Sequence, residues 1–293
     1  MRWSAGGRSS NLEDRRGESG GGLGGGGFGF GRGMGVGGAI IMLVLSLIFG
    51  RDFIGGSDGG AGAYPDQTTA SGGEVAPPAQ SSPEEERAVD FTSAVLDSVQ
   101  NTWHRVLPQQ TGVDYRDAKL DLYRDAIRTG CGTAPSSVGP FYCPNDQKVY
   151  LDLSFYDELR QRFGAPGDFA EAYVIAHELG HHVQHLLGTD AKVQQLQQSR
   201  PGLANQLSVR LELQADCYAG VWAKSDQSIL EAGDVDEALT AASSVGDDRL
   251  QRQATGTVNP DTFTHGTAAQ RSAWFKRGYD SGDVKACDTF AGS

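Results

Sequence analysis

His177, Glu178 and His181 stand in the order H-E-x-x-H within residues 174–188, VIAHELGHHVQHLLG. On an α-helix a spacing of four residues turns about 400°, so the two histidines stack on one face, roughly 6 Å apart, and can ligate one ion. Glu178 lies about 100° round the same helix, able to reach a water beside the ion without being a ligand. That arrangement suits metal-assisted hydrolysis, with zinc as the metal. The helix has clear limits in the sequence. Asp168 followed by Glu171 reads as its cap, residues 170–187 hold no Pro and only Gly180, and Gly188 supplies a stop. Ala176, Leu179, Val183 and Leu186 give it a packing stripe.

Two histidines leave a catalytic zinc short of one protein ligand. The metzincin pattern does not supply it, because Gln184 stands where that pattern needs Gly and Leu187 where it needs the third His. A second helix must contribute. Residues 203–224, LANQLSVRLELQADCYAGVWAK, carry apolar residues at helical spacing, with Glu212 and Asp216 four apart on one face. Glu-x-x-x-Asp after H-E-x-x-H resembles the gluzincin arrangement, which implies Glu212 as third ligand. It also implies Asp216 as acceptor for a ligand histidine's free N–H. The plainer alternative makes both of them solvated carboxylates.

Several stretches carry a wider likeness: MRWSAGGRSSNLEDRRG at the start, GPFYCPNDQKVYLDLSFYDEL, AYVIAHELGHHVQHLLG, and RLELQADCYAGVWA with DTFTHGTAAQRSAWF after it. With these the chain resembles the bacterial neutral zinc metallopeptidase family of YpfJ-like proteins, over the extreme N-terminus and from about residue 90 onward. The resemblance implies a zincin-like domain, one zinc ion (Zn2+) per chain and a peptide or protein substrate. His265, with Arg271 six residues on, resembles the H-P-x-x-x-x-R element of HtpX-like membrane gluzincins, except that Gly266 replaces the Pro. By that likeness His265 donates a hydrogen bond to the tetrahedral oxyanion and Arg271 braces the site; the alternative is a turn histidine and a surface arginine. Of the remaining histidines, His182 faces away from the ion, His185 reaches at most the cleft edge, and His104 has no motif around it.

The elements that position these residues begin well into the chain. Residues 1–60 hold 21 of the 41 glycines, which no compact core tolerates, and residues 1–35 read as a disordered, basic cytoplasmic tail. The uncharged run VGGAIIMLVLSLIFG, extended to residues 36–54, approaches the ~20 residues of a bilayer span and reads as a signal anchor. A cleaved signal peptide competes with that reading, since Ala61-Gly62-Ala63 is an A-x-A sequence, but it lies far beyond the apolar run. Arginines before the run keep the N-terminus cytoplasmic, which places the catalytic domain outside the cytoplasm on a single-pass cell-membrane anchor. Residues 55–81 read as a flexible linker. Ser82-Pro83-Glu84-Glu85 opens a capped helix and with it the folded domain, residues 82–293.

Residues 1–35 carry five Arg and three acids; the rest carries 20 basic and 34 acidic residues, net −14. Nothing there offsets phosphate repulsion, so nucleic acid is excluded as the main partner. Cys131, Cys143, Cys217 and Cys287 form an even set beyond the apolar run, which suits two disulfides in an oxidising compartment. Of three pairings, Cys131 with Cys143 closes a short loop and Cys217 with Cys287 ties the C-terminus to the Glu212 helix. Residues 141–155 read as a hairpin whose second strand, from Lys148, is the candidate edge for aligning a substrate backbone, or an ordinary sheet strand covering the helix. The expected architecture is a mostly helical α+β domain with a small sheet, preceded by a disordered N-terminus and one transmembrane helix. The expected activity is zinc-dependent peptide hydrolysis. A non-catalytic zincin-fold scaffold and a zinc amidase for cell-wall peptides remain as alternatives.

Overall fold

The computed structural model describes residues 1–18 and 81–291. A short strand comes first, β1 (Leu12–Asp14), and then the long helix α1 (Pro83–Thr111). Ser82 caps α1 by accepting the Glu85 N–H, Pro83 sits in its first turn, and Gly112 ends it in the left-handed region at φ 78°. Val95, Val99, Trp103 and Leu107 recur every four residues and are all fully buried.

Five strands follow: β2 (Lys119–Tyr123), β3 (Ala126–Thr129), β4 (Gly132–Pro135), β5 (Phe141–Cys143) and β6 (Lys148–Asp152). The four-stranded sheet runs β1-β2-β6-β5, parallel except for β5, while β3 and β4 form a separate antiparallel pair. The hairpin expected over residues 141–155 is present as β5–β6. Its second strand, however, lies between β2 and β5 and has no free edge, so Lys148–Asp152 cannot align a substrate by strand addition. Both flanks of β6 are hydrogen-bonded, and a hairpin pattern does not reveal which strand joins from elsewhere.

The rest is helical: α2 (Ser154–Gln161), α3 (Asp168–Leu186), α4 (Thr189–Ser199), α5 (Ala204–Ser225), α6 (Asp234–Ser244), α7 (Asp247–Thr255) and α8 (Ala268–Ser281). The helix α3 starts at Asp168 itself with Gly167 before it, so the expected Asp168 cap does not form; Glu171 instead meets Arg160 at 2.6 Å. It packs against α5, α6 and α1. The closest crossing is that of α5 and α8. A Cβ on Gly220 would overlap the Phe275 carbonyl oxygen, and one on Gly278 the Cys217 carbonyl oxygen. Gly278→Ala should therefore force the two helices apart and lower the unfolding free energy by about 1–3 kcal/mol, read from the urea midpoint.

Disulfides join Cys131 to Cys143 and Cys217 to Cys287, as the loop argument expects. The first ties the β3–β4 turn to β5, and the second holds the C-terminal turn against α5.

The N-terminus departs from the expected tail. Residues 1–18 are built into the domain: Leu12, Glu13 and Asp14 pair with Leu120, Asp121 and Leu122. Arg16 is 8% exposed and meets Asp14 at 2.7 Å and Glu85 and Glu86 at 2.9 Å. Trp3 lies edge-on to Phe91, and the Met1 amino group donates to Asp168 at 2.5 Å. The polar composition that reads as a solvated tail is satisfied by partners far along the chain. Among the described residues no helix is long and apolar enough to cross a membrane. The expected span at 36–54 and the linker, up to residue 80, lie outside the described residues.

Candidate metal centre

The i, i+4 spacing on α3 sets His177 and His181 side by side, with ring centroids 4.8 Å apart. Opposite them α5 presents Glu212, whose carboxylate lies 3.1 Å from His177 Nε2 and 3.5 Å from His181 Nε2. One ligand atom from each residue falls within 4.8 Å of the other two. Two imidazoles and a carboxylate form a donor set that zinc accepts, with room for a fourth ligand.

Asp216, fully buried one turn further along α5, organises the His177 side. It accepts from His177 Nδ1 at 2.8 Å, from the Tyr173 hydroxyl at 2.5 Å, and from Arg271 Nε and Nη2 at 2.8 and 2.9 Å. Fixing a proton on Nδ1 leaves Nε2 as the ring atom that faces Glu212 and is available to a metal. Burial alone would raise the Asp216 carboxyl, but Arg271 and His177 outweigh it and hold its pKa at about 2. Burial pulls His177 down, whereas Asp216 and Glu212 lift it to about 10; Glu212 likewise overcomes burial and raises His181. The Glu212 carboxyl, pushed up by burial, is drawn well below its ordinary value by the two histidines. The cluster thus stabilises a carboxylate facing positive charge.

His181 is held by a neutral group. Its Nδ1 lies 2.8 Å from Gln184 Oε1, and the Gln184 amide donates to the Leu211 carbonyl at 2.7 Å and to Gln214 Oε1 at 3.2 Å. Because Gln184 Nε2 is committed to two acceptors, Oε1 must take the histidine proton, which frees Nε2 of His181 for a metal. The residue that breaks the metzincin pattern is therefore the one that orients the second histidine. Gln184→Leu should weaken zinc binding by about 10–100-fold, measured by competition with a chelating dye.

Glu178 is 8% exposed beside the pair; burial raises its pKa, against the pull of His177 and His181. The candidate electrophilic residue, His265, sits on a turn gathered around the buried Asp247. Asp247 Oδ2 accepts the backbone N–H groups of Thr264, His265 and Gly266 at 2.7, 2.6 and 3.0 Å, and Oδ1 lies 3.3 Å from His265 Nδ1. The ring stands near enough to Glu212 to help lower its pKa. Gly266, at φ 90°, adopts a backbone conformation that a proline cannot, which explains the departure from H-P. Thr267 and Gln270 form the expected capping box at the start of α8, and α8 carries Arg271 to Asp216.

Tyr173, Gln184 and Asp247 belong to the site and escape the motif reading. The first two lie on α3 itself, four residues before His177 and three after His181, where helical spacing could have flagged them. Asp247 opens α7 and has no such signal. The other histidines are placed elsewhere. His182 is fully buried against Tyr142 and the Arg116 carbonyl, with its pKa lowered by burial to about 4, while His185 pairs with Asp190 and His104 with Asp117.

Comparison with known proteins supplies the family. The model for the "Putative neutral zinc metallopeptidase" family matches residues 1–290. The chain belongs to this family. It is 48% identical over 299 residues to the uncharacterized protein YpfJ of Escherichia coli, covering the whole of both chains. It is also 46% identical over 211 residues to an uncharacterized protein of Mycobacterium tuberculosis, covering 68% of this chain and 69% of the other. No solved structure matches. Membership in the neutral zinc metallopeptidases supports a zinc cofactor and a peptide or protein substrate.

Proposed function

We propose that this chain hydrolyses peptide bonds with one zinc ion held by His177, His181 and Glu212 and with Glu178 as general base. The observation that carries the reading is the convergence of three ligand-capable atoms from α3 and α5 within 4.8 Å, each histidine having its Nδ1 engaged behind it. Zinc in that position supplies Lewis acidity, polarising the scissile carbonyl and acidifying the attacking water. Glu178 takes the proton of that water and delivers it to the leaving amine. Its burial favours this role by raising its affinity for the proton. Asp216, gripped by Arg271 and Tyr173, keeps His177 in one tautomer. His265 donates from Nε2 to the developing oxyanion when its Nδ1 accepts the Thr264 hydroxyl, 3.0 Å away. The apolar run at 36–54 is the segment that would bring the peptidase to a membrane.

Elemental analysis of the full chain beside a casein cleavage assay tests the ligand set. The expected result is about one zinc per wild-type chain, lost together with cleavage in Glu212→Ala. Zinc retained by that variant would move the third ligand elsewhere. Cleavage of cell-wall peptide fragments but not casein would redirect the substrate class.

A further inference from the structure

The groups that hold His181 continue beyond Gln184. Gln214, buried on α5, accepts the Gln184 amide at Oε1 and donates from Nε2 to the Cys287 carbonyl at 3.0 Å. Cys287 ends the C-terminal turn Val284–Cys287 and is fully buried. So is its disulfide partner Cys217, which follows Asp216 on α5. A buried path therefore runs from this disulfide to Nδ1 of a candidate zinc ligand.

The path has a fixed polarity. A carbonyl oxygen only accepts, so the Cys287 carbonyl obliges Gln214 to turn its NH2 group toward residue 287 and its Oε1 toward Gln184. Gln184 then donates to two acceptors, Gln214 Oε1 and the Leu211 carbonyl, and presents its own Oε1 to His181. Among the described residues no other hydrogen bond fixes that end of Gln214. Without the Cys287 carbonyl the Gln214 amide can reverse, setting NH2 against NH2 and pulling Gln184 from its place behind His181. The turn is also tied upstream, where the Val284 N–H donates to Gln110 at 2.7 Å, and downstream, where Thr289 donates to the Arg210 carbonyl at 2.7 Å. At residue 287 itself the tie to α5 is covalent.

We infer that Gln214 and the Cys217–Cys287 disulfide position His181 for the metal, so that zinc affinity depends on this bond being formed. The inference rests on the ligand set proposed above. Reduction by a dithiol adds two electrons and two protons, leaves a thiol on each cysteine and closes the reductant to its own disulfide. The Cys287 carbonyl is then held only through its neighbours. The second bridge, Cys131 to Cys143, lies on the β3–β4 turn and β5, with no hydrogen bond to the metal centre among the described contacts, and serves as the control.

Zinc affinity of the full chain, read by competition with a chelating dye, tests the inference. Gln214→Met keeps the bulk and the disulfide but removes both hydrogen bonds; it should bind zinc about 3–10-fold more weakly than wild type, a smaller change than at Gln184, which touches the ligand. Cys217→Ala with Cys287→Ala should give a loss of the same order. Adding Gln214→Met to that pair should cost little more, since both act through one link. Cys131→Ala with Cys143→Ala should leave the affinity unchanged, although it too removes a crosslink and lowers stability. Wild-type affinity in Gln214→Met, additive losses in the triple variant, or an equal loss in the control pair would each overturn the inference. Zinc that survives His181→Ala would overturn the ligand set, and the inference with it.

Discussion

Glu178→Gln should keep its zinc and lose casein hydrolysis by about 10²–10⁴-fold. The two carboxylates near the ion differ in position, and so in expected effect. Glu212 faces both Nε2 atoms and belongs to the donor set, whereas Glu178 lies beside the histidines without an ion pair to either within 4.0 Å among the described contacts. An amide at position 178 conserves shape and burial but cannot take a proton from water at neutral pH. Zinc content by elemental analysis separates the two roles. Loss of metal in Glu178→Gln would make it a ligand, and undiminished hydrolysis would sink the proposed mechanism.

The largest effect on stability is expected at Arg271. Its side chain and Asp216 are both buried, at 4% and 0% exposure, and make a two-point contact. Arg271→Met leaves the carboxylate with only Tyr173 and His177 as donors, an uncompensated buried charge costing about 3–5 kcal/mol. For a domain of this size that corresponds to a fall in melting temperature on the order of 10 °C. The variant should also bind zinc more weakly, because Asp216, the partner that fixes the His177 tautomer, loses its own anchor. Adding Asp216→Asn removes the stranded charge, so the double variant should lose less than the sum of the single losses. Simple additivity in a denaturation series would show that the two groups act separately.

The parts of the site that were legible in the sequence are those set by helical spacing. His177 with His181, and Glu212 with Asp216, are each four apart, so whichever way the helices pack, the members of a pair share a face. The two cysteine pairings were also legible, since short-loop closure singles out Cys131 with Cys143 and leaves the other two. What could not be read depends on contacts between distant segments. Three residues of β1 contain no alternation, and Arg16 looks solvated until Glu85 and Glu86, about seventy positions on, are placed beside it. The position of β6 inside the sheet depends on the same event, because β2 reaches it from before the hairpin. Asp247 is one of two adjacent aspartates at a helix start, where acids are common for dipole reasons alone.

The ion-pair pattern around Asp216 also fixes how the site handles electroneutrality. Glu178, Glu212 and Asp216 set three carboxylates against the single guanidinium of Arg271, an excess of two in a largely buried region. A divalent cation cancels that excess, and so does a proton on each histidine; the carboxylates facing them raise the pKa of both His177 and His181. Loading with zinc is then an exchange of like charge, in which each ion entering expels up to two protons. Acidification would accordingly act as a competitor for the metal, and a compartment's pH would set how much of the protein is armed.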